Sequence, residues 1–89
     1  MNVILKKIKI ARLEKGLKQS EFGKKLGLPQ SHISRIERGG ADPRLSTVVD
    51  MARIVDSELI LVSRRLVPVI KSLIEGGNDQ KPMWKPDEK

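Results

Sequence analysis

The sequence predicts an all-α fold of four to five short helices, followed by one short C-terminal strand. Apolar residues recur at helical spacing through the first 55 residues, and glycine or proline separates the successive segments. Later in the chain, "ELILVS" at residues 58–63 has the length and composition of a strand. With 89 residues, the chain is near the lower limit for a domain stabilised by one core of its own.

Two helices are predicted in the first 27 residues. The first follows from helically spaced apolar residues and ends at Gly16, a typical left-handed cap; those residues are Ile4, Leu5, Ile8 and Ala11. The second runs from about Gln19 to Leu26, with Phe22 turned inward. Ser20 and Glu21 suit its first turn, and Gly27 ends it.

Two further helices are predicted between residues 29 and 56. One follows Pro29, a residue favoured in a first helical turn, and stops at Gly39-Gly40. The other is expected to be capped by Ser46. Its inward face is formed by apolar residues three and four positions apart, namely Val48, Met51, Ala52 and Val55.

The C-terminal region is interpreted as a dimerisation element. A strand at residues 58–63 has no second strand in this chain to pair with, so the simplest partner is the same strand of another copy. This predicts a two-fold dimer with Leu59, Ile60, Leu61 and Val62 at the interface. The alternatives are that this segment continues the fourth helix or is a buried linker. A short helix at about 67–75 completes a domain of residues 1–77, and residues 78–89 are expected to be a flexible tail.

Charge is distributed very unevenly along the chain. The net charge is +7, and residues 1–44 carry all of this excess, with 11 Lys and Arg against 4 Asp and Glu. Such a basic half is typical of a nucleic-acid surface, although acidic proteins and lipids are alternative partners.

Several functional classes are disfavoured by composition. The chain has no cysteine and one histidine, so it lacks a disulfide framework and the usual ligands of a metal site. No glycine-rich phosphate loop or nucleophile elbow is present, and we expect neither an enzyme, a cofactor nor a small-molecule substrate. The longest apolar run has only the four residues from Leu59 to Val62, so a cytoplasmic protein without a membrane span is expected.

Residues 30–38 are expected to form a helix that reads DNA. At about 100° per residue, Ile33 and Ile36 form one narrow apolar edge, and His32 falls between the faces. The wide opposite face carries no acid, unlike most solvated faces, and consists of Gln30, Ser31, Ser34, Arg35 and Arg38. Gln, Ser and Arg are the side chains that pair with base edges in the major groove. A merely solvated helix is the alternative.

The glycines before this helix suit a helix-turn-helix, because Gly23 permits close crossing of two helices and Gly27 a tight turn. The whole stretch "KQSEFGKKLGLPQSHISRIERGG" closely resembles the helix-turn-helix of phage-repressor and Cro-like (Xre) DNA-binding proteins. The resemblance covers about residues 4–56. It implies a lambda-repressor-like helical bundle that binds double-stranded operator DNA as a homodimer, in the cytoplasm and associated with the nucleoid.

The resemblance also implies roles for single residues. Gln19 matches the position that touches phosphate and braces Gln30, which in the family commonly reads adenine. Ser31, Ser34 and Arg35 match the other base-facing positions, and Lys18 and Arg38 are placed for phosphates. Arg12 and Glu37 match a pair that forms a buried salt bridge in several members, the alternative being two separate solvated charges.

The C-terminal part is similar to that of HipB-type antitoxins, although this second resemblance is less specific. It rests on "ELILVS", on "SRRLVPVIKSLIEGG" and on a polar tail with a single tryptophan, Trp84. It implies a repressor of its own operon that binds a HipA-like serine/threonine kinase toxin, with Trp84 docking on the toxin. Alternatives are a stand-alone phage or plasmid repressor, and a protein-interaction adaptor that no longer reads DNA.

Overall fold

The computed structural model describes the backbone of residues 3–84 and the side chains of residues 3–76. The chain divides into two compact units, Met1–Leu59 and Ile60–Lys89. The helices are α1 (Val3–Glu14), α2 (Gln19–Leu26), α3 (Gln30–Glu37), α4 (Leu45–Ile54) and α5 (Val67–Trp84), and a short 3₁₀ turn, Arg64–Leu66, precedes α5. The predicted all-α class is confirmed. No helix in the described part of the chain is long and apolar enough to cross a membrane.

The first unit is a four-helix bundle around a small apolar core. Helix α3 packs against α1 and α2, and α4 packs against the same two helices. Each helix contributes apolar side chains that are almost completely buried: Leu5, Ile8, Phe22, Ile33, Ile36, Met51, Ala52 and Val55. Full burial of one large apolar side chain contributes about 1.5–3 kcal/mol, so these positions supply most of the favourable free energy of folding.

The turn between α2 and α3 brings these two helices close together. A Cβ atom at Gly23 would lie 2.5 Å from the carbonyl oxygen of Leu28 and 3.2 Å from Ile33 Cγ1, so only glycine fits there. Gly27 ends α2 with a φ of 72°, a conformation that glycine adopts without steric cost. The backbone N–H of Leu28 then donates to the carbonyl oxygen of Gly23 at 2.8 Å. The two glycines thus fix how α3 leaves α2.

One predicted helix start, that of α4, differs from the structure, whereas the start of α2 agrees with the prediction. Glu21 acts as expected in the first turn of α2, because its Oε1 accepts the backbone N–H of Lys18 at 2.8 Å. Ser46 does not cap α4: the helix already begins at Leu45, and its N-cap residue is Arg44, which makes no side-chain cap hydrogen bond. The serine therefore lies inside the first turn.

The predicted strand is not present in the described residues. Residues 57–63 have no regular secondary structure, and no other part of residues 3–84 forms a strand. The physical reason is that a strand requires a neighbouring strand for its backbone groups, and the described part of one chain offers none. The helix predicted for residues 67–75 does form, but Gly76 and Gly77 do not end it, since α5 continues to Trp84. Residues 85–89 and the side chain of Trp84 lie outside the described residues.

Candidate nucleic-acid interface

Helix α3 presents a polar face to the solvent and an apolar edge to the core. Ile33 and Ile36 are fully buried, with no exposed surface. On the opposite side Gln30, Ser31 and Arg35 are exposed, and Ser34 is half-buried. His32 is also half-buried, which agrees with its expected position between the two faces. The four residues predicted to touch bases therefore lie on one side of a helix that is anchored from the other side.

A buried ion pair connects α1 to the end of α3. Arg12 Nε donates to Glu37 Oε2 at 2.7 Å, and Arg12 Nη2 donates to Glu37 Oε1 at 3.0 Å. Both residues are only 4% exposed. Arg12 Nη1 also donates to the carbonyl oxygen of Leu17 at 2.5 Å, so the guanidinium is bonded on two sides. A bidentate pair of this kind is geometrically specific, and losing either partner leaves a charge in the core.

Two glutamines extend this ion pair to the protein surface. Gln19 Nε2 donates to Glu37 Oε1 at 2.9 Å, and Gln30 Nε2 donates to Gln19 Oε1 at 2.6 Å. Gln19 is half-buried, whereas Gln30 is exposed at the first position of α3. The result is one continuous chain of hydrogen bonds from the buried Arg12 to the exposed Gln30.

The carboxylate of Glu37 determines the direction of this hydrogen-bond chain. An ionised carboxylate only accepts hydrogen bonds, so Gln19 must turn its NH₂ group toward Glu37. The Oε1 of Gln19 then faces Gln30, which must in turn donate from Nε2. Gln30 is left with one N–H donor and its carbonyl oxygen, and adenine offers the matching acceptor and donor in the major groove. A charge in the core thereby selects the orientation of an amide at the surface.

The exposed side of the amino-terminal end of α2 is basic and polar. Lys18 precedes this helix and is exposed, as is Ser20 in its first turn. Together with Gln19 and Gln30, both line an open cleft of about 740 Å³. Arg38, also exposed, directly follows α3. Free N–H groups at a helix start and nearby cations favour anions, so this edge is suited to phosphate groups.

The structure brings together some of the sequence-predicted residues more closely than expected. Arg12 contacts Glu37, and Gln19 contacts Gln30, as the resemblance implied. The hydrogen bond between Gln19 and Glu37, which joins these two pairs, was not anticipated. No local pattern in the sequence indicates it, because the two residues are 18 positions apart on different helices.

The residues predicted for dimerisation lie partly at the surface. Leu61 is completely exposed and Ile60 is 71% exposed, whereas Leu59 and Val62 are half-buried. The described residues contain no group of three or more His, Cys, Asp or Glu side chains that could hold a metal ion.

A second polar contact of the first unit was also missed by sequence reasoning. Lys15, in the turn after α1, donates from Nζ to the carbonyl oxygen of Ile54 at 2.7 Å. The same Nζ lies 3.2 Å from Asp56 Oδ2. Asp56 has a φ of 59°, which is uncommon for a residue other than glycine. Lys15 therefore ties the α1–α2 turn to the carboxyl end of α4.

Comparison with known proteins agrees with this geometry. The helix-turn-helix family matches residues 8–61, which include α2 and α3. Over 86 residues, or 97% of its length, this chain is 34% identical to an "Uncharacterized HTH-type transcriptional regulator y4dL" of Sinorhizobium fredii (strain NBRC 101917 / NGR234). It is also 34% identical over 73 residues, 82% of the chain, to the "ImmF control region 10 kDa protein" of Bacillus phage phi105.

The extent of these matches differs between the two relatives. The aligned part spans 44% of the first relative and 78% of the second. No solved structure matches this chain.

Proposed function

This chain belongs to the Xre/Cro-like helix-turn-helix family, and from that premise we propose that it is a sequence-specific DNA-binding transcriptional repressor. The observation that carries the proposal is the outer face of α3, where Gln30, Ser31, Ser34 and Arg35 lie opposite the buried Ile33 and Ile36. A polar face held in one orientation by its own core is what base reading in a major groove requires.

Gln30 has the most strongly supported role in this proposal. Its donor and acceptor are oriented before DNA arrives, because Gln19 and Glu37 fix the direction of the amide. We therefore assign Gln30 to an adenine and Ser31, Ser34 and Arg35 to neighbouring base edges. The proposal contains no enzymatic step.

Affinity is proposed to come mainly from phosphate contacts. Lys18, Gln19 and Arg38 would bind the backbone, and the excess of positive charge in residues 1–44 would add general attraction. Binding should then weaken steeply as salt concentration rises, since phosphate contacts release counterions. Cytoplasmic localisation with association to the nucleoid follows from the same proposal.

The repressor is further proposed to act as a homodimer on a near-palindromic operator. Two-fold symmetry requires half-sites separated by about one helical turn of DNA, roughly 34 Å, or a multiple of it. Ile60 and Leu61, exposed in the described chain, support a contact between copies at residues 59–62.

Replacing Gln30 with Ala tests the reading face. With an operator selected from random duplexes, we expect a loss of about 1–3 kcal/mol of binding free energy, confined to discrimination at one base position. Binding should be measured by fluorescence anisotropy on the operator and on all single-base variants of it. Undiminished and equally selective binding by Gln30→Ala would overturn the proposed reading face.

Arg38→Ala provides the matched control, because Arg38 is also exposed at the end of α3. As a phosphate contact, its loss should weaken binding to all sequences alike. It should also reduce the slope of log affinity against log salt concentration by about one. A change in base preference for this variant would instead move Arg38 into the reading face.

The finer proposal is that the repressor is the antitoxin of a toxin–antitoxin operon and binds a HipA-like serine/threonine kinase toxin. Its support is the sequence resemblance of residues 58–89 to HipB-type antitoxins, including Trp84 in the tail. Deleting residues 78–89 should then weaken toxin binding and leave operator affinity unchanged, both measured on purified components. Equal toxin affinity would remove Trp84 and the tail from the proposal.

A stand-alone repressor is the second candidate. The relative from Bacillus phage phi105 is named as a control-region protein, and the chain aligns with 78% of it. The gene next to this one distinguishes the two candidates, because an antitoxin requires a kinase-fold toxin reading frame beside its own. A protein-interaction adaptor is the third candidate function. In that case, Gln30→Ala should have no effect on binding to any selected duplex.

A further inference from the structure

The carboxylate of Glu37 is the buried end of the hydrogen-bond chain that reaches Gln30. Its Oε2 accepts Arg12 Nε at 2.7 Å, and its Oε1 accepts both Arg12 Nη2 at 3.0 Å and Gln19 Nε2 at 2.9 Å. Glu37 is 4% exposed and is the last residue of α3, whereas the exposed Gln30 is the first residue of the same helix. A core group at one end of α3 is thus connected, through α2, to a surface group at the other end.

The direction of this chain depends on a group that cannot donate. A glutamine amide has one donating and one accepting end, whereas a carboxylate only accepts. Gln19 therefore turns its NH₂ group to Glu37, and Gln30 Nε2 donates to Gln19 Oε1 at 2.6 Å. Within the described residues, neither glutamine side chain makes another hydrogen bond that would fix its orientation. An amide at position 37 would have a donor of its own and would also accommodate the inverted Gln19.

The two directions of the chain leave Gln30 with different groups for a base. In the observed direction Gln30 keeps one N–H and its carbonyl oxygen, which match the N7 acceptor and the N6 amino group of adenine. In the inverted direction its oxygen would accept from Gln19, and both N–H donors would be free. Guanine presents two acceptors in the major groove, O6 and N7, and these match two donors. Inversion therefore favours guanine where the observed direction favours adenine.

We propose that Glu37 is a positioning residue that decides between adenine and guanine at the base pair facing Gln30. Glu37 is too deeply buried to touch DNA, and it acts through Gln19 because its carboxylate excludes the inverted amides. This role rests on the proposed function, in which Gln30 reads a base edge. It goes further by assigning the choice of base to a residue of the core and not to the reading face alone.

Glu37→Gln is the first test, because it replaces the carboxylate with an amide of nearly the same size and shape. The new amide gives up one of the Arg12 contacts in either of its own orientations, since Arg12 donates to both oxygen positions. Both orientations therefore become available, and with them both directions of the hydrogen-bond chain. We expect the preference for adenine over guanine to shrink, whereas a purely structural loss would weaken binding to both.

The measurement is a ratio of affinities for two duplexes, obtained by fluorescence anisotropy. One is the duplex that the wild-type chain selects from random sequences. The other carries G·C in place of A·T at the base pair that Gln30→Ala identifies. The wild type should prefer the first by about 5- to 150-fold, as expected for one bidentate contact. In Glu37→Gln this ratio should fall at least about fivefold, toward one.

Two control variants separate positioning from a structural role. Glu58→Gln makes the same chemical change in an exposed carboxylate that pairs instead with Arg53. Met51→Ala leaves a cavity in the core that Glu37 adjoins, without removing any member of the hydrogen-bond chain. Both variants should keep the wild-type ratio, because incomplete folding weakens binding to the two duplexes alike.

Gln19→Met tests the route and leaves the buried ion pair in place, so it is informative even if Glu37→Gln fails to fold. Its side chain has similar length but no amide, and Gln30 is then free to turn either end to the base. The ratio should fall as in Glu37→Gln, and the double variant should show no further fall. Loss of a phosphate contact by Gln19 does not affect this comparison, because it weakens both duplexes alike.

Three results would overturn the role of Glu37. An unchanged ratio in Glu37→Gln or in Gln19→Met, with Gln30→Ala still losing selectivity at that base pair, would leave the reading face standing without it. An equal fall of the ratio in Met51→Ala would attribute the effect to core stability. Additive falls in the double variant would exclude the route through Gln19. Undiminished selectivity in Gln30→Ala would instead overturn the proposed function, and the positioning role with it.

Discussion

The two units of this chain contain similar kinds of helix but differ in what surrounds them. In the described part of Met1–Leu59, eight apolar residues are buried, and even a charged pair is enclosed in the core. In the described part of Ile60–Lys89, the helix is also amphipathic, but none of its side chains is buried. An amphipathic pattern therefore predicts a helix and its inward face, but it does not reveal whether the cover comes from the same chain.

The largest effect is expected from Glu37→Ala, in the enclosed core of the first unit. This change leaves the buried guanidinium of Arg12 without its carboxylate, and breaking a buried pair in this way costs about 3–5 kcal/mol. Urea unfolding followed by circular dichroism measures the loss.

Glu58→Ala is the control for Glu37→Ala, because it removes an exposed partner of Arg53 at 3.3 Å and should cost about 0–1 kcal/mol. Replacing both core residues, as in Arg12→Met with Glu37→Leu, should restore most of the stability, since no unpaired charge remains. If Glu37→Ala and Glu58→Ala cost a similar free energy of unfolding, burial does not make one ion pair contribute more to stability than the other.

Glycine-to-alanine changes should have opposite effects in the two units. At Gly23 the new methyl group meets the Leu28 carbonyl, and we expect a loss of about 1–3 kcal/mol, measured by thermal unfolding. At Gly76 no atom lies within 4 Å, so Ala should raise helix content by an amount worth about 0.5–1 kcal/mol. Destabilisation by alanine at both Gly23 and Gly76 would contradict the expected difference between the two units.

An effect smaller than those of Glu37→Ala and Gly23→Ala is expected at the carboxyl end of the first unit. Lys15→Ala removes the hydrogen bond to the Ile54 carbonyl and the contact with Asp56, and should cost about 0.5–1.5 kcal/mol. The Lys15 side chain is 40% exposed and that of Asp56 is 80% exposed, so solvent screens part of the ionic contribution. Lys15→Gln, which keeps a donor, should lose less in the same unfolding measurement. Equal losses would attribute the effect to charge and not to the hydrogen bond with the Ile54 carbonyl.

The sequence predicts the first unit well because its signals are local. Gly27 and Pro29 bracket the turn, and α2 and α3 begin and end close to where the sequence predicts. The inward positions of α4 follow from apolar spacing alone, and Met51, Ala52 and Val55 are buried. The prediction that Ser46 caps α4 was wrong, because a favourable cap residue does not prevent a helix from starting one position earlier.

The remaining features of the fold and of the candidate site could not be predicted without three-dimensional information. Whether residues 58–63 form a strand depends on a partner that one sequence does not provide, and the described chain leaves them without regular structure. Gly76 and Gly77 weaken α5 without stopping it, since glycine lowers helix stability by only about 1 kcal/mol and nothing there competes for the backbone. The Gln19–Glu37 hydrogen bond depends on how α2 crosses α3, a geometry set by Gly23 and invisible in spacing.

The hydrogen-bond chain has a consequence for how the proposed reading face of α3 can change its base preference. Within the described residues, the side chains of Ser31 and Arg35 make no hydrogen bond or ion pair to the rest of the protein, so substitutions there should cost little folding stability. Under the proposed function, those substitutions would alter base preference. Gln30 is connected through Gln19 to the buried Glu37, so replacing it leaves the Oε1 of Gln19 without its donor. Under the proposed function, divergence of specificity should therefore begin at Ser31 and Arg35, and the adenine preference proposed for Gln30 should be the last to change.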